Sequence, residues 1–69
     1  MSSEIKDATQ AMDIAHKVVQ KAGMILWIVT GARRENTHWI VEVSSLAGRY
    51  TVRINALTGE VVEFRPVGQ

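Results

Sequence analysis

The chain contains no cysteine, so neither a disulfide staple nor a thiolate metal site is available to it. That absence matters at 69 residues, because one core of this size supplies only about 3–5 kcal/mol. Self-association is the remaining way to bury more surface. Neither sign of charge dominates: eight Lys and Arg stand against seven Asp and Glu, a formal net charge of +1. No whole-molecule field gathers polyanions, and a nucleic-acid surface would have to be a local patch. Long apolar runs are missing too. The longest, residues 24–29, falls far short of the roughly 20 residues a bilayer span needs, so no membrane association is expected. Residues 1–7 lack the basic start and apolar stretch of a secretory signal, and the expected location is the cytoplasm. Gly31, Gly48, Gly59 and Gly68 sit singly in turns, which leaves no phosphate-cradling loop. There are no repeats, low-complexity tracts or linkers, so residues 1–69 form one domain.

What is present describes an architecture. In residues 50–64, YTVRINALTGEVVEF, Tyr50, Val52 and Ile54 point one way while Arg49, Thr51, Arg53 and Asn55 point the other. This period of two marks a strand with one buried and one wet face. Residues 55–59 reverse the chain, Gly59 being free to take a positive φ and Asn55 able to bond the turn backbone. Val62 and Phe64 are expected to resume the buried face. Upstream, Ile5, Ala8, Met12, Ala15, Val19 and Ala22 recur at steps of three and four, widened by Ala11, Ile14 and Val18. Lys6, Gln10, Asp13, Lys17, Gln20 and Lys21 lie opposite. The pattern predicts an amphipathic helix over about 4–22. Ser2 or Ser3 is the expected N-cap, Glu4, Asp7, Lys17 and Lys21 match the dipole, and Gly23 supplies a left-handed stop.

Residues 24–29, MILWIV, are largely β-branched and aromatic, and predict a strand over about 24–30 that Gly31 ends. The polar GARRENT of 31–37 reads as a loop. Alternation returns over 38–44, with Trp39, Val41 and Val43 on one face and His38, Ile40, Glu42 and Ser44 on the other. A tight connection leads to a strand over 49–55, and a last strand over 60–65 stops at Pro66, which cannot donate to a ladder. Connections this short exclude parallel crossovers. The expected fold is α+β, one N-terminal amphipathic helix packed on a four-stranded antiparallel β-meander.

A helix leading into strands that close with YTVRINALTGEVVEF resembles the PepSY domain. The C-terminal hairpin of that family reads as an aromatic-led alternating strand, an Asp or Asn, a Thr-Gly turn and an alternating apolar strand. The match covers residues 50–64 well and the helix loosely. The resemblance implies a non-catalytic module that binds, and in regulatory settings inhibits, a partner protein.

The residues themselves hold little reactive chemistry. His16 and His38 are the only histidines, and neither has a second ligand at metal-binding spacing on its own element. His16 falls at the edge of the helix's apolar face, an ordinary boundary position. His38 opens a strand beside Trp39 and could line a shallow site with Glu42. The hydroxyls of Thr30, Thr37, Ser44, Ser45, Thr51 and Thr58 have no base signalled nearby, whereas nucleophilic catalysis needs several groups converging in a dry pocket. No catalytic residue, cofactor or metal is expected, and the chain does not read as an enzyme.

The arginines form the more informative set. Arg33 and Arg34 in the first strand loop, with Arg49, Arg53 and Arg65 on the sheet face opposite the helix, could track phosphates. Against this stand Glu42, Glu60 and Glu63, which make cross-strand ion pairs ordinary there. Trp39 and Tyr50 fall on the buried face, leaving few aromatics to stack on bases, and the charge balance is far from the pI above about 9 of typical binders. A nucleic-acid surface of Arg33, Arg34, Arg49 and Arg53 therefore ranks behind a protein-binding one. A further anomaly is the strand at 24–29, apolar on both faces. If Leu26 and Ile28 face inward, Ile25, Trp27 and Val29 face outward, and the reverse assignment exposes the other set. With Ile40 and Val61 outside, an apolar contact patch results. A strand that begins later, with residues 24–26 closing over the helix end, removes it. The expected interaction surface comprises Trp27, Val29, Arg33, Arg34, His38, Ile40, Glu42, Arg49, Arg53 and Arg65. A two-fold homodimer and a partner protein are the expected associations.

Overall fold

The computed structural model describes residues 5–24 and 26–67. The elements are α1 (Ala8–Lys21), β1 (Trp27–Glu35), β2 (His38–Ser45), β3 (Gly48–Asn55) and β4 (Val61–Pro66). The strands form one antiparallel sheet in sequence order, β1-β2-β3-β4, and α1 lies on one face of it, chiefly over β1 and β2. This is the α+β meander the alternation predicts. No helix among the described residues is long and apolar enough to cross a membrane.

The helix starts where Asp7, in extended conformation, accepts a hydrogen bond from the Gln10 N–H at 2.9 Å. Gln10 reaches back to accept from the Lys6 N–H at 2.6 Å, a capping-box arrangement displaced by one residue. The cap is therefore later than expected, and Ser2 and Ser3 lie outside the described residues. At the other end Gly23 takes φ +75°. Its N–H bonds the Gln20 carbonyl and the Met24 N–H bonds that of Val19, the two bonds of a Schellman stop. Ala11, Ala15 and Val19 are fully buried; the two alanines let the helix axis come close to the sheet. They meet Trp39, Val41 and Val43 of β2 and Val52 and Ile54 of β3. Over β3 and β4 the inner face is shielded by the stacked rings of Tyr50 and Phe64, 5.4 Å between centroids.

The segment before α1 crosses the end of the sheet. The Ile5 N–H donates to the Ala56 carbonyl at 2.7 Å, and the Ala56 N–H donates to Thr37 at 2.8 Å. The buried Trp39 indole donates to the Ile5 carbonyl at 3.1 Å. In the β3–β4 turn the Asn55 side chain accepts from the Leu57 and Thr58 N–H groups and Gly59 adopts φ +77°, as that sequence requires.

Two bulges correct the sequence reading. In β1, Val29 pairs with Val43 but Gly31 with Glu42, so Thr30 is an extra residue. The strand absorbs Gly31 instead of stopping there and runs on to Glu35, so most of the expected loop at 31–37 is strand. The chain turns at Asn36, with φ +55°, a conformation asparagine tolerates. Met24 packs on the core, consistent with a strand that begins later than residue 24, at Trp27. In β4, Val61 pairs with Ile54 and Glu63 with Arg53, which leaves Val62 extra. Val61 consequently packs on the core and Val62 is 54% exposed, the reverse of the expected assignment. A bulge inserts one residue and inverts the alternation beyond it.

Candidate functional site

The sheet face opposite α1 carries no other element among the described residues, and the strand register arranges its side chains in rows. Arg33, Ile40, Arg53 and Glu63 form one row across all four strands. Gly31, Glu42, Thr51 and Arg65 form the next. The third is Ile28, Ser44 and Arg49, extended by Val67, whose N–H donates to the Arg49 carbonyl at 2.8 Å. Around the first two rows lies a shallow depression of about 530 Å³ that includes Arg33, Ile40, Thr51, Arg53, Glu63 and Arg65. Ile40 is only 6% exposed although it stands on the wet face, because it is flanked in its row by arginines whose aliphatic stems cover apolar surface.

The charges on this face are distributed in two opposite trios. On the β1–β2 side Arg33 stands between two glutamates, with Nε 2.7 Å from Glu35 and Nη1 3.0 Å from Glu42. On the β3–β4 side Glu63 stands between two arginines, 3.7 Å from Arg53 and 3.4 Å from Arg65. The hydrogen bond from Arg33 holds the Glu35 carboxyl below the usual carboxylate range. Glu35 and Glu42 in turn raise the Arg33 guanidinium above its ordinary value. A carboxylate with a depressed pKa stabilises the fold above its unfolded value and ceases to as pH falls through the folded one, so this pairing is an asset at neutral pH. At such exposure its contribution is small.

The ten residues expected to form one surface separate into two groups. Arg33, Ile40, Arg53 and Arg65 line the depression, and Glu42, Arg49 and His38 share its face. Trp27, Val29 and Arg34 do not. Trp27 and Val29 pack on the helix side, Trp27 edge-on to His16 at 4.7 Å. Arg34 follows them because the β1 bulge inverts the alternation; its guanidinium carbon is 6.0 Å from the centre of the Trp39 ring, and its Nε donates to the Asn36 carbonyl. The apolar residue that β1 presents outward is Ile28, 63% exposed. His38 and Glu42 do not form a joint site: Thr37 Oγ1 is the neighbour of His38 Nδ1 at 3.1 Å, and Glu42 is held by Arg33. His16 and His38 lie on opposite sides of the sheet. No cluster of three metal-binding side chains occurs among the described residues. Glu35 was missed because it falls in the expected loop; the alternation of 32–35 was its only signal.

No family model, curated protein or solved structure matches this chain.

The same geometry bears on nucleic acid. Arg33, Arg53 and Arg65 share the outer face with Glu35, Glu42 and Glu63 and are each paired with a carboxylate, so a phosphate approaching any of these three also meets a negative charge, and Arg49 stands beside Ser44 in the next row but one. Mixed duplex and single-stranded oligonucleotides are expected to bind weakly in fluorescence anisotropy, without sequence preference, and to lose that affinity as salt rises. Tight binding at physiological salt that vanishes in Arg49→Ala/Arg53→Ala would place nucleic acid first.

Proposed function

We propose that the chain is a non-catalytic, PepSY-like interaction module whose working surface is the sheet face opposite α1. The observation that carries this reading is the state of that face. It has no covering layer among the described residues, yet its side chains are held in defined ion pairs around a nearly buried isoleucine. Such a surface is pre-organised, which reduces the ordering cost of binding. Its charges alternate in sign over short distances, which suits the mixed surface of another protein better than a uniformly anionic polymer. The depression is shallow and its carboxylates are engaged by arginines, which suits recognition better than acid–base chemistry. The resemblance of the 50–64 hairpin to the PepSY domain supports the same class of role.

Affinity capture on immobilised chain, followed by titration of the purified partner, tests the reading. Wild type and Arg53→Ala/Arg65→Ala are compared, since these two exposed arginines share a single carboxylate and neither belongs to the helix-side core. The variant is expected to bind the partner at least tenfold more weakly. Equal binding by the two chains would move the working surface elsewhere, to the helix face.

A further inference from the structure

We propose that this face takes a second copy of the chain, packed sheet against sheet about a two-fold axis parallel to the strands and midway between β2 and β3. The inference rests on the module reading above and names its partner. An axis so placed sets β1 over the partner's β4 and β2 over the partner's β3, each row keeping its height. In the first row Arg33 then meets the partner's Glu63, and Ile40 meets the aliphatic stem of the partner's Arg53. In the third row Ile28 meets the partner's Val67. These two side chains are 63% and 44% exposed in the single chain, and they stand at opposite edges of one row.

The charges select this axis. One half of the face holds one arginine between two glutamates, and the other holds one glutamate between two arginines, with Arg49 in addition. Rotation about an axis along the strands lays each half on its opposite in sign. An axis across the strands lays each half on itself and sets like over like, which is costly. Two sheets related in this way pack with their strands within about 30° of each other, and the interface is isologous and closed. Pairing along sheet edges is disfavoured by both outer strands. β1 carries a bulge followed by Arg33, Arg34 and Glu35, and β4 carries a bulge and ends in Pro66, all features that blunt an edge. Four strands spaced ~4.8 Å apart and about seven residues long give a face of roughly 19 by 23 Å. The dimer then buries on the order of 900 Å² in total, below the size of stable interfaces and in the range of weak, transient ones, and dissociates in the micromolar-to-millimolar range.

Sedimentation of the full chain from about 10 µM to 1 mM, at physiological salt, is expected to show a reversible monomer–dimer equilibrium. Arg33→Glu and Glu63→Arg each set like charges opposite one another twice in their homodimers, and each is expected to be at least tenfold weaker in self-association. An equimolar mixture of the two variants restores both pairs and should recover a heterodimer. Within one chain these positions are three strand spacings apart, roughly 14 Å, beyond the ~8 Å screening length of physiological salt. Recovery on mixing therefore reports contact between chains. If either variant melts early, Ile28→Lys and Val67→Glu serve the same purpose, because both positions are exposed and the mixed dimer again satisfies both contacts. A chain still monomeric at 1 mM overturns the inference, as does a dimer whose strength these substitutions leave unchanged. The first result leaves the Arg53/Arg65 titration intact as the test of the module reading. Failure of that titration leaves the charge-swap experiment intact in turn.

Discussion

Val52→Asp is expected to abolish cooperative folding. Val52 is fully buried at the centre of the inner sheet face, with Val41 on one neighbouring strand and Phe64 on the other. Those two cross-strand partners offer a carboxylate neither cation nor donor, and burying an unpartnered carboxyl costs several kcal/mol even when it takes up a proton. That cost is comparable to the whole stability of a core this size, about 3–5 kcal/mol. Circular dichroism over a thermal or urea scan provides the measurement. Thr51→Asp is the control: one position away, on the outer face, its carboxylate stands between Arg65 and Glu42 and the melt should survive. A cooperative Val52→Asp transition near that of the parent would mean that the two faces of β3 are interchanged.

The second large effect is expected at Trp39. Truncation to alanine removes a buried indole, 8% exposed, from the inner face of the sheet and lowers stability by about 3–5 kcal/mol. Trp39→Phe separates packing from hydrogen bonding. It retains most of the ring but loses the indole N–H that holds the Ile5 carbonyl, a loss of about 1–2 kcal/mol with an acceptor left unsatisfied. Hydrogen exchange should then show faster exchange at the Ile5 amide, which donates to Ala56, while amides in β2 and β3 stay protected. Unchanged Ile5 protection in Trp39→Phe would show that the segment is anchored without the indole.

The helix and the two central strands were legible in the sequence because each follows one uninterrupted period. Ala11, Ala15 and Val19 mark one helical stripe, and Trp39 to Val43 and Tyr50 to Ile54 alternate without a break. The outer strands were not, because each contains an extra residue. In β1 the polar ARRE segment looks like a loop to any reading that stops at Gly31, yet beyond the bulge it alternates as a strand does, with Ala32 and Arg34 toward the helix side and Arg33 and Glu35 toward water. The same inversion separates Arg34 from Arg33, and a like one in β4 exchanges the places of Val61 and Val62. For the site, the outward arginines of β3 and β4 followed from alternation alone. The opposed trios did not, because they depend on which rows the bulges bring level. The double-sided apolar strand is settled by register: Val29 pairs with Val43, which turns Trp27 and Val29 toward the helix and leaves Ile28 outside.

The clasp between Ile5 and Ala56 has a consequence for the order in which the molecule is completed during synthesis. A meander pairs each strand with the one just made, so its hairpins close over short loops and need no distant partner. The clasp is different, because its first residue emerges early and its acceptor belongs to the last turn. Closing so long a loop is slow relative to a hairpin. A nascent chain halted before Ala56 therefore has α1 and the first hairpins available while the Ile5 amide lacks its acceptor. Emergence of Ala56, in the turn that follows β3, is the event that lets the N-terminal segment lock over the end of the sheet.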